Sequence, residues 1–228
     1  VSIGQTGFKG RPHAEYNAIH SSHENLRGSK MYVTLEPCNH YGVTPPCTNE
    51  IIKKKIKEVI YSIEDVDKNV RGKTFNLLKS KKIIAKKGLL KKKISEFYKP
   101  YKFNREKKMP YVTGKIAVSK NNLIYSEVKS KITDIHSDRF THNLRYINDS
   151  IMISYKTLNK DNPKLNCRLK RFKKFSPRRI IIDKNLETKK NSYIFKSVKK
   201  NNTIIFYKNA KKNKIKLFKK HGILLIKL

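Results

Sequence analysis

The chain has 228 residues, with 54 lysines and arginines against 17 aspartates and glutamates, and a formal net charge of +37. The length suits two compact domains, and because no apolar run approaches a membrane span and the start shows no secretory leader, we expect neither a membrane nor a secreted protein. So high a charge is typical of nucleic-acid binders, but here the lysines are spread through nearly every segment. We therefore interpret the charge as compositional and as favourable for a phosphorylated substrate.

The first half of the chain alternates helix-like and strand-like segments, which predicts a sheet layered between helices. The predicted helices begin at about His13 and at Cys47 and cover 74–80 and 94–104, and the predicted strands cover 31–36, 58–63 and 82–85. The polar segment 105–110 ends in a proline and is interpreted as a linker. We place the domain boundary there, which gives domains 1–107 and 108–228.

The second half begins with a new strand pattern and again alternates. A strand is predicted over 111–119, a helix over 133–146, a strand over 150–154, and β-branched runs over 178–183, 203–207 and 223–226. The dinucleotide-binding motif G-x-G-x-x-G is absent from the sequence. The pattern alone therefore predicts only a second α/β domain.

Zinc-binding residue types occur near the start of the chain together with a carboxylate. His13 lies two residues before Glu15, and Cys38 and Cys47 each follow a proline. One histidine and two thiolates leave the fourth tetrahedral position of zinc open for water. A carboxylate outside the ligand set can carry a proton from that water to a leaving amine, as in the zinc deaminases. The pattern predicts a deaminase with His13, Cys38 and Cys47 as zinc ligands and Glu15 as proton shuttle.

Other interpretations of these residues stay open. A lone His-x-Glu is common at exposed helix starts, and isolated cysteines are usually inert buried thiols. However, the predicted helix starts at His13 and Cys47 and the predicted strand end before Cys38 can converge on one metal. The cysteines at 38, 47 and 167 form no even disulfide framework, and metal binding by two of them fits a reducing cytoplasm.

Eight residues separate the two predicted thiolate ligands, whereas in nucleic-acid deaminases usually only two residues separate the two cysteines. The run YVTLEPCNHYGVTPPC at 32–47 closely resembles the deaminase half of the bifunctional deaminase/reductase family of riboflavin biosynthesis, and RPHAEYNA at 11–18 resembles its zinc-histidine segment. The resemblance implies a cytidine-deaminase-like three-layer domain that deaminates 2,5-diamino-6-hydroxy-4-(5-phosphoribosylamino)pyrimidine. His40 and Thr44 in the inserted loop are interpreted either as substrate contacts or as residues that shape the loop.

Residues 110–119, 160–168 and 179–183 resemble the reductase half of the same family. This resemblance implies a dihydrofolate-reductase-like α/β domain that uses NADPH to reduce the ribosyl group to ribityl. By position, the match assigns NADPH to Ala117, Thr157 and Asp161, and the substrate to Arg145, Leu165 and Arg168. The arginines are expected at the phosphate, where a planar guanidinium suits the anion, although a surface cation is the alternative for Arg145.

Several features of that family are missing. Asn121-Asn122 replaces its Asp-Gly, the segment 130–133 lacks its tryptophan, and its glycine-rich segment near the C-terminus is not found. Its first helix and strand, with a substrate loop, are also not found. We therefore expect a chain truncated at both ends, with a C-terminally incomplete reductase domain.

Alternatives from other functional classes remain open. A zinc deaminase acting on bases in tRNA or single-stranded DNA is favoured by the charge, and a degenerate reductase beside a live deaminase is favoured by the missing motifs. A structural zinc module that binds RNA is a third alternative, and the free carboxylate of Glu15 argues against it. We expect a cytoplasmic enzyme with a small phosphorylated pyrimidine substrate, no specific nucleic-acid partner, and a homodimeric state.

Overall fold

The computed structural model describes residues 2–7, 10–124, 132–198 and 202–228. Its contacts divide the chain into two compact units, Val1–Gly114 and Lys115–Leu228. Within the described residues, no helix combines the length and the apolar character that crossing a membrane requires.

The described part of the first unit contains a three-stranded parallel sheet with helices between its strands. The strands β1 (Lys30–Leu35), β2 (Glu58–Ile63) and β3 (Ile84–Lys87) lie in the order β1-β2-β3. The helices are α1 (Ala14–His20), α2 (Cys47–Lys53), α3 (Lys73–Ser80), α4 (Lys91–Phe97) and α5 (Lys99–Lys107). All six residues of β2 are buried, as expected for the central strand of a covered parallel sheet.

The core of the first unit lies between this sheet and the helices beside it. Ile51 of α2, Val59 of β2 and Leu78 of α3 are fully buried in one apolar cluster, and Ile19 of α1 is nearly so. In open α/β sheets, ligands bind beyond the carboxyl ends of the strands. This core therefore fixes the end of β1, from which the chain continues to Cys38.

The second unit has a separate parallel sheet. Its strands β4 (Ser150–Ser154), β5 (Arg178–Ile182), β6 (Thr203–Tyr207) and β7 (Leu224–Lys227) lie in the order β4-β5-β6-β7. The helices are α6 (Ile135–Ile147), α7 (Tyr155–Asp161), α8 (Tyr193–Lys196) and α9 (Lys212–Lys220), with a 3₁₀ turn at Lys173–Phe175. The core is apolar: Leu158, Ile181, Ile205 and Phe218 are buried together. The predicted bounds of β2, β4 and β6 are confirmed to the residue.

The predicted amphipathic helix over 94–104 is wrong as a single element. The chain forms α4, turns at Tyr98, and begins α5 with Pro100 in its first turn. Proline is tolerated there because the first helical N–H groups have no intrahelical acceptor. The predicted linker is also wrong over Arg105–Lys107, which completes α5 before Lys108 ends the helix at a positive φ of 56°.

The predicted strand over 111–119 is also wrong, since these residues belong to neither sheet. Their apolar side chains face solvent: Val112 is 77% exposed, Ile116 68% and Val118 46%. A β-rich sequence forms a strand only when a neighbouring strand accepts its backbone hydrogen bonds. The segment 130–133 lacks the tryptophan of the family motif. Its positions 130 and 131 lie outside the described residues.

Candidate metal centre

The predicted zinc ligands stand at the ends of three elements in the first unit. His13 is the N-cap of α1, in extended conformation at φ −68° and ψ 158°. Cys38 follows β1 by three residues, and Cys47 is the first residue of α2, directly after its N-cap Pro46. The backbone N–H of Thr48 donates to the carbonyl of Cys38 at 3.2 Å, which ties the two cysteine segments together.

The ligand atoms of the three residues converge. His13 Nδ1 lies 3.3 Å from Cys47 Sγ and 3.5 Å from Cys38 Sγ, and all three atoms lie within 4.8 Å of one another. Zinc–nitrogen and zinc–sulfur bonds at a tetrahedral angle place N and S about 3.6 Å apart. The spacing therefore fits a tetrahedral zinc ion, with Nδ1 as the histidine ligand atom.

The side chains of Cys38 and Cys47 are in hydrogen-bonding contact, and this contact shifts their pKa values in opposite directions. The hydrogen bond from the Cys47 side chain, followed by that from His13, lowers the pKa of the Cys38 thiol below its ordinary value. The Cys47 N–H also donates to Cys38 Sγ at 3.1 Å. The same side-chain contact with Cys38 raises the pKa of Cys47 above its ordinary value. The contact therefore favours the thiolate form at Cys38 and the thiol form at Cys47, and Cys47 must lose its proton when a metal binds.

Glu15 lies against this group from the first turn of α1. Its side chain is only 9% exposed, and burial raises the pKa of its carboxyl, which is also in hydrogen-bonding contact with the Cys47 thiol. A raised pKa makes a carboxylate a better proton acceptor, which is the property that a general base needs. The structure thus brings Glu15 beside the three predicted ligands, and its shuttle role stays a prediction.

Glu36 is a buried carboxylate that the sequence argument did not assign. It is 3% exposed and accepts backbone hydrogen bonds from Asp65 (3.2 Å), Gly72 (3.0 Å) and Thr74 (3.2 Å). The Thr74 hydroxyl also donates to the carbonyl of Pro37 at 2.7 Å. Glu36 therefore anchors the loop that leads into α3 to the turn that carries Cys38. The only sequence feature that could have drawn attention to Glu36 is its position directly before Pro37-Cys38.

Replacing Glu36 by alanine is expected to lower the free energy of unfolding of the first unit by about 3 kcal/mol, because three backbone N–H groups lose their acceptor and two of the residues that carry them are buried. Urea unfolding monitored by far-UV circular dichroism measures the change. The control is Glu64→Ala, which removes a partly exposed ion pair with Lys87 and is expected to cost less than about 1 kcal/mol. Equal losses in both variants would contradict the anchoring role of Glu36.

The inserted loop between the cysteines contacts the histidine segment. Arg11 Nη1 lies 2.9 Å from His13 Nε2 and 2.5 Å from the hydroxyl oxygen of Thr44. His40 is partly buried, and its Nδ1 has no hydrogen-bond partner among the described residues. Thr44 therefore shapes the loop through Arg11, and a substrate contact by His40 stays a prediction. Arg11 was not among the residues predicted from the sequence, although it stands in the same short motif as His13.

Two of the predicted reductase residues are neighbours in the second unit. Arg145 Nη1 donates to the carbonyl of Asn166 at 3.1 Å, and burial together with the charge of Arg168 lowers the pKa of Arg145. Arg168 is exposed, and its backbone N–H donates to His142 Nδ1 at 3.2 Å. An open cavity of about 320 Å³ borders Arg168 and is lined by Lys164, Asn166, Cys167, Lys173 and Tyr193. A cationic cavity of this kind is suited to an anion.

None of the other predicted reductase residues lines this cavity. Leu165 is 4% exposed and packs in the core at a positive φ of 54°. Thr157 and Asp161 lie on α7, exposed, directly after β4. Ala117 lies in the segment 111–119, outside both sheets. Their cofactor and substrate roles stay predictions.

Two family models match the chain. The RibD C-terminal domain matches residues 110–228, and the cytidine and deoxycytidylate deaminase zinc-binding region matches residues 3–63. These matches confirm the family resemblance and the fold class predicted from the sequence.

Known proteins resemble both halves. The riboflavin biosynthesis protein RibD of Bacillus amyloliquefaciens is 36% identical over 82% of this chain and 50% of its own length. A diaminohydroxyphosphoribosylamino-pyrimidine deaminase of Buchnera aphidicola is 45% identical over 40% of this chain and 63% of its own length. The crystal structure of a deaminase/reductase of Thermotoga maritima, 27% identical, superposes with a TM-score of 0.79 over 99% of this chain and 70% of that one. The chain spans about half the length of the curated RibD relatives it matches.

Proposed function

This chain belongs to the family of the RibD C-terminal domain, and from that premise we propose that it acts in riboflavin biosynthesis as a zinc-dependent deaminase joined to an NADPH-dependent reductase. The proposed domains are 1–107 and 108–228. The proposed substrate is 2,5-diamino-6-hydroxy-4-(5-phosphoribosylamino)pyrimidine, and the site residues are those that the sequence predicts. We also propose that the enzyme is homodimeric and cytoplasmic and that it has no specific nucleic-acid partner.

The observation that carries the deaminase proposal is the spacing of His13 Nδ1 and the two thiol sulfurs, with the buried carboxyl of Glu15 beside them. His13, Cys38 and Cys47 would hold the metal. When bound, zinc supplies Lewis acidity that makes a water molecule a nucleophile at neutral pH. The Glu15 carboxylate accepts the proton that this water loses, and then donates it to the amine that leaves the pyrimidine. Burial keeps Glu15 away from bulk water, so the proton is held at the site.

The reductase proposal is supported by the family match and by the cationic cavity beside Arg168. Arg145 and Arg168 would bind the phosphate of the deaminated pyrimidine, because two guanidinium groups offer paired donors to its oxygens. Ala117, Thr157 and Asp161 would bind NADPH, whose nicotinamide supplies the hydride for reduction of the ribosyl group.

Mass spectrometry of the pyrimidine substrate after incubation with zinc-loaded protein, with and without NADPH, tests the whole proposal. We expect one amine to become a carbonyl in both conditions, and two hydrogens to be gained only with NADPH. Deamination without reduction would support a degenerate reductase half. No change with zinc present would contradict the proposal and favour the nucleic-acid deaminase.

Replacing Arg168 by alanine is expected to raise the KM of the reduction step for the phosphorylated pyrimidine by about tenfold to a hundredfold, because one charged hydrogen-bond donor to the phosphate is lost. Deamination is expected to keep its rate, since Arg168 lies in the other unit. Steady-state oxidation of NADPH measures the effect. The matched control is the exposed Arg171→Ala; an unchanged KM in Arg168→Ala would remove Arg168 from the phosphate site.

A further inference from the structure

The segment 165–168 lies beside the cationic cavity of the second unit, and it belongs to no helix and no strand. Leu165 and Cys167 are buried in this segment, whereas the side chain of Arg168 is exposed at the cavity. Among the described residues, no strand pairs with the segment. Contacts of another kind therefore fix its backbone and determine where the guanidinium of Arg168 can reach.

Two residues of α6 hold the backbone of this segment. Arg145 Nη1 donates to the carbonyl of Asn166 at 3.1 Å. His142 Nδ1 accepts the backbone N–H of Arg168 at 3.2 Å, and the thiol of Cys167 donates to the carbonyl of His142 at 3.6 Å. Helix α6 therefore contacts three consecutive residues of the segment, and His142 makes the contact to the backbone of Arg168 itself.

The surroundings of His142 suit a hydrogen-bond acceptor. His142 is 8% exposed, and it is the buried residue of α6. Burial, followed by the positive charges of Arg145 and Arg168, lowers the pKa of His142. Both effects favour the neutral imidazole, because each disfavours a further positive charge. A neutral ring that accepts at Nδ1 carries its proton at Nε2, whereas a protonated ring offers donors only.

We propose that His142 is a positioning residue for the reduction, since it holds the backbone of Arg168 so that the guanidinium reaches the phosphate of the pyrimidine substrate. The identity of this anion rests on the proposed function. The other cations at the cavity, Lys164 and Lys173, are exposed and supply point charges, whereas the planar guanidinium binds phosphate through paired hydrogen bonds. Paired bonds depend on orientation, so a small displacement of the backbone at Arg168 weakens them.

Isothermal titration calorimetry of the full chain with ribose 5-phosphate, and with ribose as the ligand without phosphate, tests this role. His142→Leu removes the acceptor but retains a buried side chain, and it is expected to weaken the binding of ribose 5-phosphate about tenfold, because the N–H of Arg168 loses its partner. His142→Asn places an acceptor oxygen near the position of Nδ1, and it is expected to restore the affinity to within about twofold.

A double variant shows whether His142 acts through Arg168. Arg168→Ala alone is expected to weaken the binding of ribose 5-phosphate, and the addition of His142→Leu is expected to change the Kd no further, because no guanidinium is left to position. The matched control is His136→Leu, which changes an exposed histidine of the same helix and is expected to bind as the unchanged protein does. Thermal unfolding followed by far-UV circular dichroism checks that each variant is folded. If His142→Leu is unfolded, His142→Gln, whose acceptor lies farther from the helix backbone, is used in its place and is expected to weaken binding in the same way.

The outcomes separate this inference from the proposed function. Equal losses of affinity in His142→Leu and His142→Asn would overturn the acceptor role, and additive losses in the double variant would show that His142 does not act through Arg168. Binding of ribose 5-phosphate that Arg168→Ala leaves unchanged would overturn the inference as well. None of these results depends on catalysis. Conversely, a protein that shows the expected pattern of binding and yet does not oxidise NADPH with the deaminated pyrimidine would contradict the proposed reduction and retain the role of His142.

Discussion

Replacing Glu15 by glutamine is expected to lower the kcat of deamination by about a thousandfold, within the range that general acid–base catalysis contributes. Glutamine has nearly the same size and fits the same buried position, but its amide cannot accept a proton from water or deliver one to the amine. The ligand atoms of His13, Cys38 and Cys47 are untouched by this change, so zinc is expected to stay bound at one ion per chain. Mass spectrometry of the product and metal analysis of the same sample measure both quantities.

The control for this change is Glu24→Gln, which makes the same replacement at an exposed carboxylate. It is expected to retain both zinc and full activity. Full deamination by zinc-loaded Glu15→Gln would show that another group carries the proton. Loss of zinc from Glu15→Gln would instead show that its buried carboxyl supports the ligand set and that the activity loss is indirect.

The candidate metal site was largely predictable because its residues stand in short motifs with fixed local geometry. His13 and Glu15 are separated by one residue at a helix start, where His13 is the extended N-cap and Glu15 is in the first turn of α1. Cys47 begins α2 directly after a proline. A helix N-terminus by itself favours a thiolate, but the contact with Cys38 outweighs this effect and raises the pKa of Cys47. The sequence motifs do not tell how close the histidine segment lies to the two cysteine segments. The structure shows this in the contacts between His13 Nδ1 and the two sulfurs.

The anchoring role of Glu36 was not predictable in the same way. The three N–H groups that donate to it belong to residues 29 to 38 positions away, in the loop between β2 and α3 and in the first turn of α3. A carboxylate followed by Pro-Cys looks like part of the metal motif in sequence. Its role depends on a loop that returns from β2 toward the end of β1, which is a property of the sheet order.

The fold was predicted best where the chain is apolar and least where lysine obscures the pattern. Strands β2, β4 and β6 are rich in Ile, Val and Tyr, and their bounds followed directly. Helix α9, by contrast, has five lysines in nine residues, and only Ile215, Leu217 and Phe218 mark its apolar face. The run at 111–119 shows the opposite error. Its β-branched residues have the propensity of a strand, but among the described residues no strand pairs with it.

Replacing Cys47 by serine is expected to weaken zinc binding by about a hundredfold or more and to abolish deamination, because a hydroxyl does not ionise near neutral pH and cannot supply the second thiolate of the tetrahedral set. Zinc retained after dialysis against a weak chelator, measured per chain, gives the result.

The matched control is Cys167→Ser, which makes the same replacement at the other buried cysteine. Cys167 is 1% exposed in the second unit, and its sulfur lies 3.6 Å from the carbonyl of His142, so serine can keep that contact. This variant is expected to retain zinc and deamination. If Cys47→Ser keeps stoichiometric zinc, the ligand set needs another member; if both variants lose zinc, the loss reflects damage to buried packing rather than to the metal site. Only the difference between the two variants assigns the thiolate of Cys47 to zinc.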